Sequence, residues 1–338
     1  MLSRPLVAST TLASTLILSS FTLAAQLPAQ NASLPDLPRP ASSLPPDAQS
    51  KMTQLRQNLK AAIEAKDTHA QSVILNSIGA LYYAHRDAVD AMEAFSQVLT
   101  IVRKFSQPAA EATALCNLGS SQFALGHAEE ALDAYKRALP LWRQTGNKDH
   151  EAATLGDIAE VFRALNDSDE ALRFNLQSLP LHIQAGNRTG QAAVLNNIGL
   201  IYFARRDRKK ALNYFTQAIA IYRPLGDKAG EATTLNNIGG VYNQFGDGRK
   251  AIDLFSTALP IFKETHDQKA QANTLNNMGL AYAHLGDPMH ALDCYNQALP
   301  AYREAGDQAG FEAATRNIRM LYEDRRNRTA LAASSRAN

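Results

Sequence analysis

LNNIGLIYFARRDRKKALNYFTQAIAIYRPLG, residues 195–226, decides how this chain folds. Leu195, Ile198 and Tyr202 stand at i, i+3 and i+7, the apolar stripe of one helix. Arg206-Asp207 interrupts the stripe as a turn. Ala211, Phe215, Ala218, Ile219 and Tyr222 then form a second helical stripe. Leu225-Gly226-Asp227 closes the pair, with Gly suited to a left-handed C-cap. The same stop recurs at Gly146-Asn147, Gly186-Asn187 and Gly306-Asp307.

The helix pair is one member of a series with a period of 40. LNSIG at 75–79, LCNLG at 115–119, LGDIA at 155–159, LNNIG at 195–199, LNNIG at 235–239 and LNNMG at 275–279 share one phase. Ala91, Ala131, Ala171, Ala211, Ala251 and Ala291 share another. Fifteen of the 18 glycines fall on four phases, so the glycines follow the repeat. A length of 338 residues favours two domains on size alone. The repeat overrides that prior and predicts one stacked α-solenoid. Gly199 and its equivalents lie inside the first helix, where each costs about 1 kcal/mol relative to Ala. Five in register imply close helix approach, with Ala211 and its equivalents as the small partners.

The pattern resembles the tetratricopeptide repeat. That family's first helix carries a large residue, a leucine three places on, a glycine directly after it and a tyrosine three places further. Its second helix carries alanine, an aromatic four places on, and alanine three places later. Leu195, Ile198, Gly199 and Tyr202, then Ala211, Phe215 and Ala218, match it. The resemblance covers residues 72–311 as six units and implies an all-α, right-handed α-solenoid. The period is 40 rather than 34, similar to the long repeats of kinesin light chains, of spindle-orientation adaptors, and of bacterial arrays that precede a CHAT-type protease.

Pro140, Pro180, Pro260 and Pro300 fall within second helices, where Thr100 and Ala220 stand in the other two units. An interior Pro removes a backbone bond and costs roughly 3 kcal/mol, which predicts a kink or register break. The ends read as caps. Residues 47–71 form an N-terminal capping helix and 312–323 a C-terminal one. Residues 324–338 read as a disordered basic tail.

Ahead of the array, Met1-Leu2-Ser3-Arg4 gives one positive charge, and no further charge follows until Asp36. An apolar, hydroxyl-rich stretch then ends in Thr22-Leu23-Ala24-Ala25. This is a secretory signal pattern over residues 1–25 and predicts export to the periplasm or medium. An uncleaved anchor, with the solenoid outside the cytoplasm, is the alternative. Residues 26–46 read as a Pro-rich extended linker. Thirty-four basic and 32 acidic residues give a net charge of +2, which argues against a general nucleic-acid binder.

No HExxH, GxSxG, Walker loop or CxxC occurs, so neither enzyme, cofactor nor metal chemistry is expected. Cys116 and Cys294 are four and a half units apart and cannot pair within a solenoid. Cys116 shares the phase of Asn196, a place open to partial exposure, but both cysteines read first as small space-filling residues. The run RRDRKK at 205–210 is a solvated turn or a contact for an acidic partner.

An asparagine ladder is the sharpest functional signal. Asn196-Asn197, Asn236-Asn237 and Asn276-Asn277 recur in step, with Asn76 and Asn117 further up. The resemblance places the first helix along a concave groove. Its inward places fall on Asn196, Leu200 and Phe203, then Asn236, Gly240 and Asn243, then Asn276 and Leu280. Tyr83 and Phe123 take the Phe203 place in earlier units and suggest an apolar pocket or unit-to-unit packing. An amide offers a donor and an acceptor, as an extended backbone requires. Spindle-orientation adaptors use asparagines in that way, so the resemblance implies a protein or peptide ligand clamped by the ladder, the first Asn of each pair foremost. The alternative is that the second Asn bonds a neighbouring turn. A carboxylate clamp needs Lys at the Asn196 place and bases at the Ala204 and Arg205 places, and only Arg205 fits. The sequence therefore predicts a non-enzymatic scaffold that holds a polypeptide. A module regulating a separately encoded enzyme, or an assembly factor acting through its convex face, remain as rivals.

Overall fold

The computed structural model describes residues 44–337, with only the backbone course for Asp47 and residues 324–337. The signal segment and residues 26–43 of the linker lie outside the described residues. The described residues are helices joined by turns, without a strand, and form two compact units, 44–187 and 188–337.

In the first unit, α1 (Pro46–Glu64) precedes three helix pairs. These are α2 (Thr68–Ala84) with α3 (Ala88–Val102), α4 (Pro108–Ala124) with α5 (Ala128–Thr145), and α6 (Lys148–Ala164) with α7 (Ser168–Ala185). A 3₁₀ turn, Arg103–Phe105, extends α3. The second unit pairs α8 (Arg188–Ala204) with α9 (Arg208–Leu225), α10 (Lys228–Gln244) with α11 (Gly248–Glu264), and α12 (Gln268–His284) with α13 (Pro288–Glu304). The helix α14 (Gln308–Ala337) closes it. Six helix pairs are present among the described residues, and each begins about one helical turn earlier than the 72–311 frame, since α2 starts at Thr68.

The boundaries follow from local chemistry. The N-cap side chains of Asp67, Asp87, Asn147, Asp167, Asp207, Asp227, Asp267 and Asp287 accept from the backbone N–H three residues on. At the other end, Gly146, Gly186, Gly226 and Gly306 take φ of 69°, 71°, 68° and 65°, the left-handed stop that glycine adopts without strain.

The small-residue phase has a specific partner. Gly79, Gly119, Gly199, Gly239 and Gly279 lie under the rings of Phe95, Tyr135, Phe215, Phe255 and Tyr295. All five rings are fully buried, so the glycine seats the aromatic of its own pair's second helix.

The interior prolines behave differently from the expectation of a break. The helices α5, α7, α11 and α13 run continuously through Pro140, Pro180, Pro260 and Pro300. All four prolines are exposed, and so are Lys136, Leu176, Ser256 and Asn296, whose carbonyls lose the bond. Water replaces the missing donor on that face, so the helix persists.

The ends also differ in detail. The capping helix α1 ends at Glu64, and residues 67–71 belong to the cap and first turn of α2. α1 buries Met52 and Leu59, and its Arg56 donates to Tyr82 Oη at 3.1 Å. The C-terminal cap begins earlier than 312. The course of α14 runs through 324–337, where the sequence suggested a disordered tail.

Candidate functional site: the asparagine seam

Consecutive first helices touch one another: α8 meets α10, α10 meets α12 and α12 meets α14, while α4 meets α6 in the first unit. The first helices α4, α6, α10 and α12 also pack against the second helices before and after them. A first helix is thus enclosed on several sides. The run from Thr234 to Val241 in α10 is buried throughout.

This enclosure decides where the asparagines lie. Asn196, Asn236 and Asn276 are 0%, 1% and 0% exposed, and Asn197, Asn237 and Asn277 are also buried. Their amides face the equivalent turn of the neighbouring first helix. Asn237 Nδ2 donates to Asn196 Oδ1 at 3.1 Å. Asn317 Nδ2 donates to Asn276 Oδ1 at 3.0 Å. In the first unit Asn117 Nδ2 donates to Asn76 Oδ1 at 2.8 Å. Each bond joins the second-Asn phase of one repeat to the first-Asn phase of the repeat before. Asn236 Oδ1 instead accepts from Thr274 Oγ1 at 3.1 Å. The expectation of an open ladder with the first Asn outward is therefore corrected: the chain covers it, because consecutive first helices approach closely enough for side-chain amides to bond. Asn237, the second Asn of its pair, bonds the neighbouring repeat.

The seam leaves particular atoms over. Asn236 Nδ2 and Asn276 Nδ2 are buried donors with no hydrogen-bond partner. These are the same atom at the same phase of consecutive repeats. Asn237 Oδ1 and Asn243 Nδ2 are also without a partner.

The other groove candidates are likewise enclosed. Leu200 and Phe203 are buried, and the Phe203 ring lies 3.8 Å from where a Cβ on Gly240 would stand. Asn243 is buried, with Oδ1 3.1 Å from His284 Nδ1, so the Nδ1–H tautomer of His284 donates to it. Burial pushes the His284 imidazole below its ordinary range, which favours that neutral form. Tyr83 and Phe123 are half-buried and pack against the core of the first unit.

The third repeat departs from the pattern with Gly156-Asp157. Asp157 is half-buried and has no hydrogen bond or cation among the described residues. Burial, reinforced by the charge of Glu160, raises its carboxyl to about 7. Cys116 is buried rather than partly exposed; its Sγ lies 3.2 Å from Thr154 Oγ1, and burial pushes the thiol up to about 12. Thr274, Asn317 and Asp157 escaped the sequence reading. A Thr–Asn spacing of 38 and an Asn–Asn spacing of 41 were the available signals.

Among the described residues no group of three His, Cys, Asp or Glu side chains is placed to hold a metal ion, and no helix is long and apolar enough to cross a membrane.

Comparison with known proteins agrees with this architecture. Tetratricopeptide repeat models match residues 110–184, 192–224 and 230–304. No curated protein matches by sequence. Among solved structures, the apo form of RapI is similar with a TM-score of 0.64 and 14% identity, over 76% of this chain and 92% of that one. BtubC (BKLC) from P. vanneervenii is similar with a TM-score of 0.56 and 20% identity, over 64% and 91%. A Rap protein complexed with competence and sporulation factor gives a TM-score of 0.56 and 16% identity, over 85% and 89%. At these identities the likeness establishes the fold, an all-α solenoid. The chain belongs to the tetratricopeptide repeat family.

Proposed function

We propose that this protein is a non-catalytic interaction scaffold that holds a polypeptide segment along its layer of first helices. Stacked arrays of such repeats present extended surfaces for partners. The observation that carries the finer reading is the pair of buried donors, Asn236 Nδ2 and Asn276 Nδ2, left over at one phase. A buried donor without a partner costs about 1–3 kcal/mol, and a backbone carbonyl of a bound strand would remove that cost. Packed helices step by about 8–10 Å and an extended chain advances about 3.3 Å per residue, so one amide per repeat meets about every third residue. The donors are buried in the free chain, so a strand reaches them only by displacing the side chains that cover them. A similar solenoid was solved complexed with competence and sporulation factor, which is compatible with a ligand of this kind.

Residues 1–25 support a site of action outside the cytoplasm, with the scaffold periplasmic, secreted or held at the membrane by an uncleaved segment. N-terminal sequencing of the mature protein after cell fractionation decides among these. For the groove, p-benzoylphenylalanine is placed at Phe203 or at Ser256, which is exposed on a second helix. A polypeptide adduct from position 203 alone is expected. Adducts from position 256 alone would move binding to the other face.

A further inference from the structure

The turns joining paired helices in the second unit carry exposed charge and exposed apolar surface. The α8–α9 turn holds Arg205, Arg206, Arg208, Lys209 and Lys210 around a single acid, Asp207. That acid is already engaged: Asp207 Oδ1 caps α9 through Lys210 N at 3.0 Å, and Oδ2 lies 3.5 Å from Lys210 Nζ. Arg206 and Lys209 are exposed and meet no carboxylate among the described residues.

Aromatic rings position several of these cations. Lys210 Nζ lies 4.8 Å from the Tyr202 ring, which stacks on Tyr214 at 5.5 Å. Arg208 reaches toward the next repeat, 5.2 Å from Tyr242 and 5.6 Å from Phe245, and Lys250 lies 5.4 Å from Tyr242. Such contacts hold the long stems over rings while the charge stays available to solvent.

The equivalent turns further along add exposed apolar side chains beside Asp247, Arg249 and Lys250 in one and Asp287 and His290 in the other. Phe245, Leu285 and Met289 are 36%, 45% and 70% exposed. The repeat does not require this composition, because the matching turns GHAEE at 126–130 and NDSDE at 166–170 are acidic.

We infer that this turn edge docks a segment of a partner protein in which acidic residues accompany apolar ones. The carboxylates meet Arg206, Arg208 and Lys209, and the apolar side chains cover Phe245, Leu285 and Met289. Charge complementarity selects the acidic half. The apolar half distinguishes such a segment from a polyanion, for which exposed Leu285 and Met289 offer nothing and the cations stop after two turns. This edge is separate from the asparagine seam, so either reading fails without the other.

The test selects short random peptides displayed on phage against the full chain. Enriched peptides are expected to combine Asp or Glu with Leu, Ile, Phe or Met. A synthetic copy of one should bind Arg206→Glu/Lys209→Glu about tenfold more weakly, and bind less well as salt rises. Reselection on Leu285→Ser/Met289→Ser should lose the apolar preference and keep the acidic one. Circular dichroism confirms that both variants fold. Selection without acidic enrichment overturns the inference, as does equal affinity for the charge-reversed variant. Binding of an oligonucleotide or of phosphatidylglycerol vesicles in place of any peptide, lost in that variant, would show a polyanion site instead. Concentration-dependent mass that the same variant abolishes would show a second copy as the occupant.

Discussion

A Cβ on Gly239 would stand 2.6 Å from Cε1 of Phe255, closer than two carbon atoms can pack. The relationship recurs in four other pairs, and the exception explains it. In the third pair Ala159 occupies the glycine place, and the ring place holds Asn175, a buried side chain whose Nδ2 donates to Ala171 O at 2.9 Å. Where the ring is absent, the methyl returns. Gly239→Ala should therefore lose about 1–3 kcal/mol through overpacking, although Ala is the better helix former by about 1 kcal/mol. Ala159→Gly should lose about 1 kcal/mol from backbone entropy alone. Thermal denaturation of both variants checks the contrast; a stabilised Gly239→Ala would refute close seating.

The seam bonds are structural in this account. Asn317→Ala removes the donor to Asn276 Oδ1 and should cost about 1–3 kcal/mol. Hydrogen exchange should quicken in α12 and α14 together, because the bond joins them. Acceleration confined to α14 would show that the bond carries no coupling.

Pro260 lies exposed within α11, which continues through it. Pro260→Ala should stabilise by up to about 2 kcal/mol, because the helix gains a bond and this is only partly offset by the freedom the unfolded chain regains. A lowered melting temperature would mean that a proline-imposed bend is needed for packing.

Two histidines of the first unit make stability depend on acid. His182 is buried, with Nδ1 3.2 Å from Asp149 Oδ1, and His150 stacks on Trp142 at 4.6 Å. Burial lowers both below the ordinary imidazole value of 6.5, against a smaller opposing pull from Asp149. The unfolded chain then binds more protons than the fold between the lowered values and 6.5, so stability falls as pH drops below about 6.5. His182→Gln should flatten that part of a melting-temperature profile.

Asp157 has the opposite sign. Its folded value, about 7, exceeds the ordinary carboxyl value of 3.8, so the stability it contributes when protonated is lost as pH rises toward 7. Asp157→Asn should raise stability by about 1–3 kcal/mol above that value, with the gain shrinking as pH falls. An unchanged profile would show that the carboxylate is well solvated.

The family and the helix pairing were legible because the glycine, alanine and aromatic phases answer a packing requirement repeated in every unit. Gly199 and Ala211 announced it before Phe215 was known to be the contact. The asparagine seam was legible as a pattern but not as a geometry. Periodicity puts Asn196 and Asn237 at fixed phases, yet whether consecutive first helices stand apart or touch depends on packing between repeats. Pro140 and its equivalents misled for a related reason, since the cost of a lost bond depends on which side of the helix water reaches.

The most direct test of the scaffold compares partner capture by the full chain and by Asn236→Asp/Asn276→Asp. These substitutions keep the Oδ1 acceptors used by Thr274 and Asn317 and exchange each Nδ2 donor for a carboxylate oxygen, which repels a strand carbonyl at a pH high enough to ionise these buried groups. The account predicts a folded protein, by circular dichroism, that no longer retains the polypeptide held by the wild type. Equal retention by both would contradict binding along the layer of first helices.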